Sequence, residues 1–216
     1  MTTIGYHASH EQFAPSELLQ LICHAEAAGF DCAKCSDHFH PWSARQGHSG
    51  FAWSWIGAAL QATRFPVAMI TTPGYRYHPA VVAQGAATLA EMFPGRFWLA
   101  LGSGEAINEA ITGLYWPEKA ERNRRLAECA GVIRRLLDGE EVTHRGQTTT
   151  IEARIYSRPD GPVPLIGAAV TERTAAEIAV WAEGLLTVGG EPGRVAKVIG
   201  AYRDAGRGAG RCMCSK

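Results

Sequence analysis

Along the chain, short β-prone apolar runs alternate with longer stretches whose apolar positions recur at helical spacing, the pattern of repeated βα units around a parallel sheet. The spacing predicts six units. A strand at Ile4 to Ser9 leads to a helix from Pro15 to Ala28, with proline at its start and Gly29 just past its end. Further strands are expected at Asp31–Ser36, Val67–Thr72, Arg96–Leu101, Pro164–Ala169 and Gly184–Val188. Their helices fall near Ala52–Ala62, Pro79–Met92, Pro117–Asp138, Thr171–Trp181 and Pro192–Ala205. Between Glu141 and Arg154, Val-Thr-His and Thr-Thr-Thr-Ile-Glu flank Arg145-Gly146, which predicts a small hairpin inserted before the fifth parallel strand.

A closed barrel of such units needs eight strands. Six fall short of that, and the ending from Gly206 to Lys216 has no apolar periodicity, so the expectation is a barrel domain over residues 1–205 that is truncated after about six βα units. An irregular tail is expected over 206–216. The competing reading is an open, doubly wound sheet with a natural tail.

Composition narrows the class. The chain has 216 residues, 46% of them hydrophobic, enough for one sizeable core. Lys plus Arg equals Asp plus Glu at 21 each, so no net field draws in nucleic acid or an anionic membrane, and a small-molecule partner is expected. No apolar run approaches the roughly 18 residues of a membrane span, and the first residues lack a basic-then-apolar leader, so the expected setting is cytoplasmic. The six cysteines lie in or beside apolar segments and read as reduced thiols. Cys32 and Cys35, three apart on one strand, face opposite ways and cannot share a metal.

Candidate chemistry gathers where strands end. Ser36-Asp37-His38-Phe39-His40-Pro41-Trp42 follows the second strand, and a histidine beside an acidic neighbour suits a general base near neutral pH. Gly102-Ser103-Gly104-Glu105 follows the fourth strand, where glycines admit a bulky ligand and Glu105 presents a carboxylate. Ile107 stands where the third glycine of a dinucleotide fingerprint would be, which argues against that motif. Thr71 to Pro79 joins hydroxyls, aromatics and Arg76, suited to an aromatic ring or an anionic group. His7, Ser9 and Glu11 close the first strand. Glu121, Arg122, Arg124 and Arg125 read as a solvated helix face. A metal-dependent hydrolase using His7, His38 and His40 is a further reading, although the three lack a firm ligand spacing.

Taken together, Gly5-Tyr6-His7-Ala8-Ser9, Glu11-Gln12-Phe13-Ala14-Pro15, Ser36-Asp37-His38-Phe39, Pro41-Trp42, Arg76-Tyr77-His78-Pro79-Ala80-Val81 and Gly102 through Glu109 resemble the luciferase-like flavin and deazaflavin oxidoreductases. The pattern is most similar to the branch of F420-dependent glucose-6-phosphate dehydrogenases, and also to a side branch that uses an ordinary flavin. The resemblance implies an α/β fold, the (β/α)8 TIM barrel of the bacterial luciferase-like type, with coenzyme F420 or FMN at the strands' C-terminal ends. It implies His38 as base on a substrate hydroxyl, Trp42 over the reacting centre and Glu105 as an acid. Asp37, Met69, Ile70, Thr72, Gly102, Ser103, Gly104, Ala168 and Ala169 are implied cofactor contacts, and Glu11, Tyr77 and Val188 are implied substrate contacts. No metal ligand is implied. The resemblance also places a cis peptide at Met69–Ile70 and carries the expectation of a homodimer.

Two departures bear on the ligands. Val188-Gly189-Gly190-Glu191 supplies a carboxylate that would repel a sugar phosphate, and Ala168-Ala169-Val170 replaces paired glycines near the cofactor phosphate. The function expected is hydride transfer between a small organic substrate and the cofactor ring, with oxygen as a further acceptor, as in a monooxygenase, if the cofactor is FMN. A non-catalytic barrel remnant is the alternative.

Overall fold

The computed structural model describes residues 2–206 and 211–215. Its main sheet has seven strands in the order β1 (Gly5–Ala8), β2 (Cys32–Ser36), β3 (Val67–Thr71), β4 (Phe97–Leu101), β7 (Leu165–Ala168), β8 (Gly184–Val188) and β9 (Arg211–Ser215). All neighbours in it pair in parallel. The helices are α1 (Pro15–Ala27), α2 (Ala52–Ala62), α3 (Pro79–Met92), the single turn α4 (Ala106–Glu109), α5 (Lys119–Leu137), α6 (Glu172–Ile178) and α7 (Pro192–Ala205). β5 (Val142–Arg145) and β6 (Thr149–Ala153) form the antiparallel hairpin that the turn signal predicted.

Alternation along the strands sends one set of side chains to each face of the sheet, and the two faces differ. Ala8, Ala33, Cys35, Val67, Met69, Leu99, Leu101 and Leu165 join Leu18 and Ile22 of α1, Ile56 and Leu60 of α2, and Ile133 and Leu136 of α5 in the principal core. Ala100, Ile166 and Leu186, with Ile70 and Trp98 against them, form a separate cluster made of strand residues alone. Helices therefore cover one face and side chains fill the other, which is barrel architecture and overturns the doubly wound reading. Gly167 lets α6 approach closely, since a Cβ there would lie 2.5 Å from Ile178 Cδ1.

The segment after Gly206 departs from expectation. Residues 211–215 form β9, in register with β8 from Gly184 opposite Arg211 to Val188 opposite Ser215, instead of an irregular tail. Backbone pairing to an existing edge supplies the order that the local sequence does not signal. The Met69–Ile70 peptide also differs from expectation: no peptide bond among the described residues is cis, and Met69 and Ile70 keep regular pairing with Cys35 and Ser36 on one side and Leu99 and Ala100 on the other.

Candidate active site

The C-terminal ends of the strands open into a cavity of about 640 Å³, within the roughly 300–1,000 Å³ usual for small-molecule and cofactor sites. His38 is part of its lining. Its Nδ1 lies 2.5 Å from Glu11 Oε1 and its Nε2 lies 3.7 Å from Glu105 Oε2. The Trp42 ring meets the imidazole edge to face at 5.1 Å. Ser49 Oγ donates to the His38 carbonyl at 2.6 Å, holding the loop that carries it.

Glu11 is buried, and burial alone would oppose its ionisation. Hydrogen bonds from His38, from Ser36 Oγ at 2.6 Å and from Ser9 Oγ at 2.6 Å outweigh that and hold the carboxyl well below the usual range. Glu105 behaves oppositely: its burial dominates and raises its pKa, despite the nearby His38 and the Asn108 amide, which donates to its Oε2 at 3.2 Å. One imidazole thus lies between a carboxyl whose pKa is held down and a carboxyl whose pKa is raised.

Asp37, next to His38, is fixed from β3 and the loop after it. It accepts from Thr71 Oγ1 at 2.6 Å and Tyr77 OH at 3.2 Å, and Arg76 Nη2 donates to its carbonyl at 2.8 Å. Arg76 Nε also bonds Glu109 Oε1 at 3.1 Å, both side chains being almost wholly buried. Asn108 Oδ1 accepts from the amides of Phe39 at 2.8 Å and His40 at 3.0 Å, tying α4 to the loop after β2.

Glu11, Asp37, His38, Trp42, Ile70 and Thr72 line the cavity, and so do Gly102, Ser103, Gly104, Glu105, Ala168, Ala169 and Val188. Met69 and Tyr77 do not. Met69 points to the other face of β3 into the principal core, as its neighbour Ile70 faces the barrel interior. Tyr77 lines a smaller adjoining cavity of about 330 Å³ with Phe51 and Ile111. His40 is exposed, its ring against Phe39, and is not on the lining of His38's cavity. The structure therefore does not bring His7, His38 and His40 together, and no group of three potential metal-ligating side chains occurs among the described residues.

The lining suits a planar heteroaromatic group. Ile70, Ala168 and Leu186 offer an apolar floor, and Thr187 Oγ1, buried on the lining, has no hydrogen-bond partner among the described residues. Gly104, at φ +78°, keeps the wall low where a Cβ would come within 2.8 Å of Thr72 Cγ2. Lys119 Nζ donates to Ser103 Oγ at 2.6 Å on the rim. Arg122 and Arg125 are not a solvated face: Arg122 donates to Gly104 O at 3.2 Å over the Trp116 ring, and Arg125 donates to Gln147 O at 3.1 Å over Tyr75. Glu191 caps α7, accepting from the amides of Gly193 and Arg194 at 2.7 Å each, and is absent from the cavity lining. Its expected repulsion of a bound phosphate has no geometric basis.

Sequence reasoning passed over Lys34, Asn108, Glu109 and Lys119 as site residues, all of which line the cavity. Lys34 had a signal, a lysine inside a strand two residues before Ser36 and hence on the same face.

A model of the luciferase-like monooxygenase family matches residues 1–213. Among curated relatives, the F420-dependent glucose-6-phosphate dehydrogenase of Nakamurella multipartita is 43% identical over 96% of this chain, and that of Mycobacterium tuberculosis 40% identical over 97%. The chain spans 62% and 65% of their respective lengths. A solved F420-dependent secondary alcohol dehydrogenase, in complex with an F420–acetone adduct, superposes with a TM-score of 0.92 at 37% identity, over 99% of this chain and 68% of that one. The F420-dependent tetrahydromethanopterin reductase of Methanopyrus kandleri shares the fold, with a TM-score of 0.78 at 23% identity over 95% of this chain and 62% of that one. With the family pattern matched almost end to end on the geometry described, the chain belongs to the luciferase-like monooxygenase family.

Proposed function

We propose that this cavity serves an oxidoreductase that transfers a hydride between a small alcohol or its carbonyl and the ring of coenzyme F420 or FMN. The observation that carries the proposal is the position of His38 between Glu11 and Glu105. An ionised Glu11 can only accept, so the proton of a neutral imidazole sits on Nδ1 and the Nε2 lone pair is left for a substrate hydroxyl. Glu11 acts as the orienting group, His38 as the base, and Glu105 as a proton donor beside it. Trp42 packs edge to face on the base. Ile70, Thr72, Gly102 to Gly104, Ala168 and Ala169 would hold the ring, which supplies two-electron chemistry when bound; with FMN, oxygen becomes a further acceptor.

The partners of the relatives named above support a small organic substrate. Balanced charge and the thiols of Cys23, Cys32, Cys35 and Cys129 support a cytoplasmic setting without nucleic acid, and family membership supports a homodimer. No helix among the described residues is long and apolar enough to cross a membrane.

The test is thermal melting and ligand titration of the purified chain with F420 and with FMN, repeated on His38→Ala. Binding of one cofactor should raise the melting temperature by mass action, and about 2.7 kcal/mol is expected at 100 times Kd. His38→Ala should keep that shift while losing roughly 100-fold or more in turnover. No shift with either cofactor at saturation would favour the barrel remnant.

A further inference from the structure

The cavity floor is divided. On the β3, β7 and β8 side it is uncharged, with Ile70, Ala168 and Leu186 beside Thr71 and Thr187, while on the β1 and β2 side it carries His7, Ser9, Lys34 and Ser36. His7 and Lys34 are register partners across β1 and β2, with Lys34 Nζ 2.9 Å from His7 Nδ1. A lysine only donates, so Nδ1 accepts and the His7 ring is neutral. Burial first, then the charge of Lys34, draws His7 down to about 4, consistent with that state. Burial likewise draws Lys34 down to about 8, opposed by the charge of Glu11, which still leaves it mostly protonated at neutral pH.

This leaves a sheltered ammonium whose one hydrogen-bond partner among the described residues is a neutral imidazole. Among the described residues Lys34 forms no ion pair, and Glu11, the nearby carboxylate, already accepts from His38, Ser36 and Ser9. Sheltered charges are ordinarily paired, because removing them from water is costly. Two of the three N–H donors of Lys34 are thus available to a ligand beneath the His38–Glu11 pair. Lys119, the other lysine on the lining, already donates to Ser103 Oγ and has the carboxylates of Glu177 and Glu105 in its field.

We propose that Lys34 anchors a carboxylate of the substrate, so that the enzyme acts on small hydroxy acids and their oxo counterparts. The carboxylate supplies the missing counter-charge on the β1–β2 side, and the carbinol carbon lies between it and His38 Nε2, facing the uncharged half of the floor. The inference rests on reading the cavity as a substrate chamber beside a ring cofactor.

The experiment measures affinity for lactate and for its uncharged amide, lactamide, by calorimetry, on the chain with F420 or FMN added and on the chain alone. Lactate should bind at least tenfold more tightly than lactamide. Lys34→Met should bring lactate down to the level of lactamide while leaving lactamide affinity, cofactor affinity and melting temperature near those of the parent. Lys34→Gln, which keeps a donor without a charge, provides a second variant should the first fold poorly. Measured without cofactor, the preference reports on Lys34 whether or not the cofactor reading holds. Equal affinities for the two probes in both forms, or a preference that persists in both variants, would overturn the assignment.

Discussion

His10 is fully buried, edge to face with Trp55 at 4.8 Å, and neither of its ring nitrogens has a hydrogen-bond partner among the described residues. Burial, opposed by Glu11 and aided by His38, draws its pKa from 6.5 to about 4. Because the folded value lies below the unfolded one, the unfolded chain binds more protons between those limits; stability from this source is complete above pH 6.5 and is lost as pH falls toward 4. His10→Leu removes the unpaired polar atoms and the titration together. It should raise the melting temperature at pH 7 by about 2–4 °C, the equivalent of about 1 kcal/mol for a chain of this size. It should also flatten the decline between pH 6.5 and 4.5, leaving the part due to His7, which is lowered in the same direction. Melting curves at three pH values read both effects. At this scale the sequence was legible for groups whose chemistry is local: His38, Asp37 and Glu105 follow directly on strand ends. It was less so for Lys34 and Asn108, whose roles depend on partners 27 and 68 or 69 positions away.

Between elements, the buried Arg76 is the fastening. Its guanidinium joins the loop after β3 to Glu109 of α4 and to the backbone of Asp37 after β2, so three loops share one cation. Burial raises the Glu109 pKa, and the Arg76 charge and hydrogen bonds oppose that. Arg76→Met would leave two buried carboxylates without their counter-charge, at about 3–5 kcal/mol in a urea titration at pH 7. Adding Glu109→Gln should restore part of that loss, since the two side chains are directly coupled. Independent, additive effects would show that the pair does not act as a unit. The long helices were readable from periodicity and punctuation, and α2, α3 and α7 begin and end where expected. The turn α4 was not, because four residues after Gly104 are too few to display a period; its role shows only in what Asn108 and Glu109 reach.

Across the whole molecule the core is divided. The helices of the first four units pack on one large cluster, while Ala175, Ile178, Leu185, Val198 and Tyr202 make a smaller one around α6, α7 and β8, with Trp181 against both. Arg134 and Glu183 also tie the two parts, through an ion pair that is partly exposed and so of modest value. Fewer buried contacts mean a lower free energy of local opening. Backbone amides of α6, α7 and β8 should therefore exchange with solvent faster than those of β1 to β4, and Trp181→Ala should widen the difference. Uniform protection across the chain would contradict this. The barrel-like alternation was legible because parallel strands repeat one local pattern, whereas β9 was not, since its order derives from the edge of β8 and not from its own residues.

Under the function proposed above, that division has a bearing on how a ring-shaped guest arrives. Ala169, with Ala168 and Val188 beside it, forms the side of the chamber next to the lesser cluster, whereas Glu11 and His38 follow strands of the greater. Breathing of the weaker side can widen the berth without disturbing the proton-handling residues, so loading and unloading of the guest should follow the kinetics of that side, and the reaction step should not.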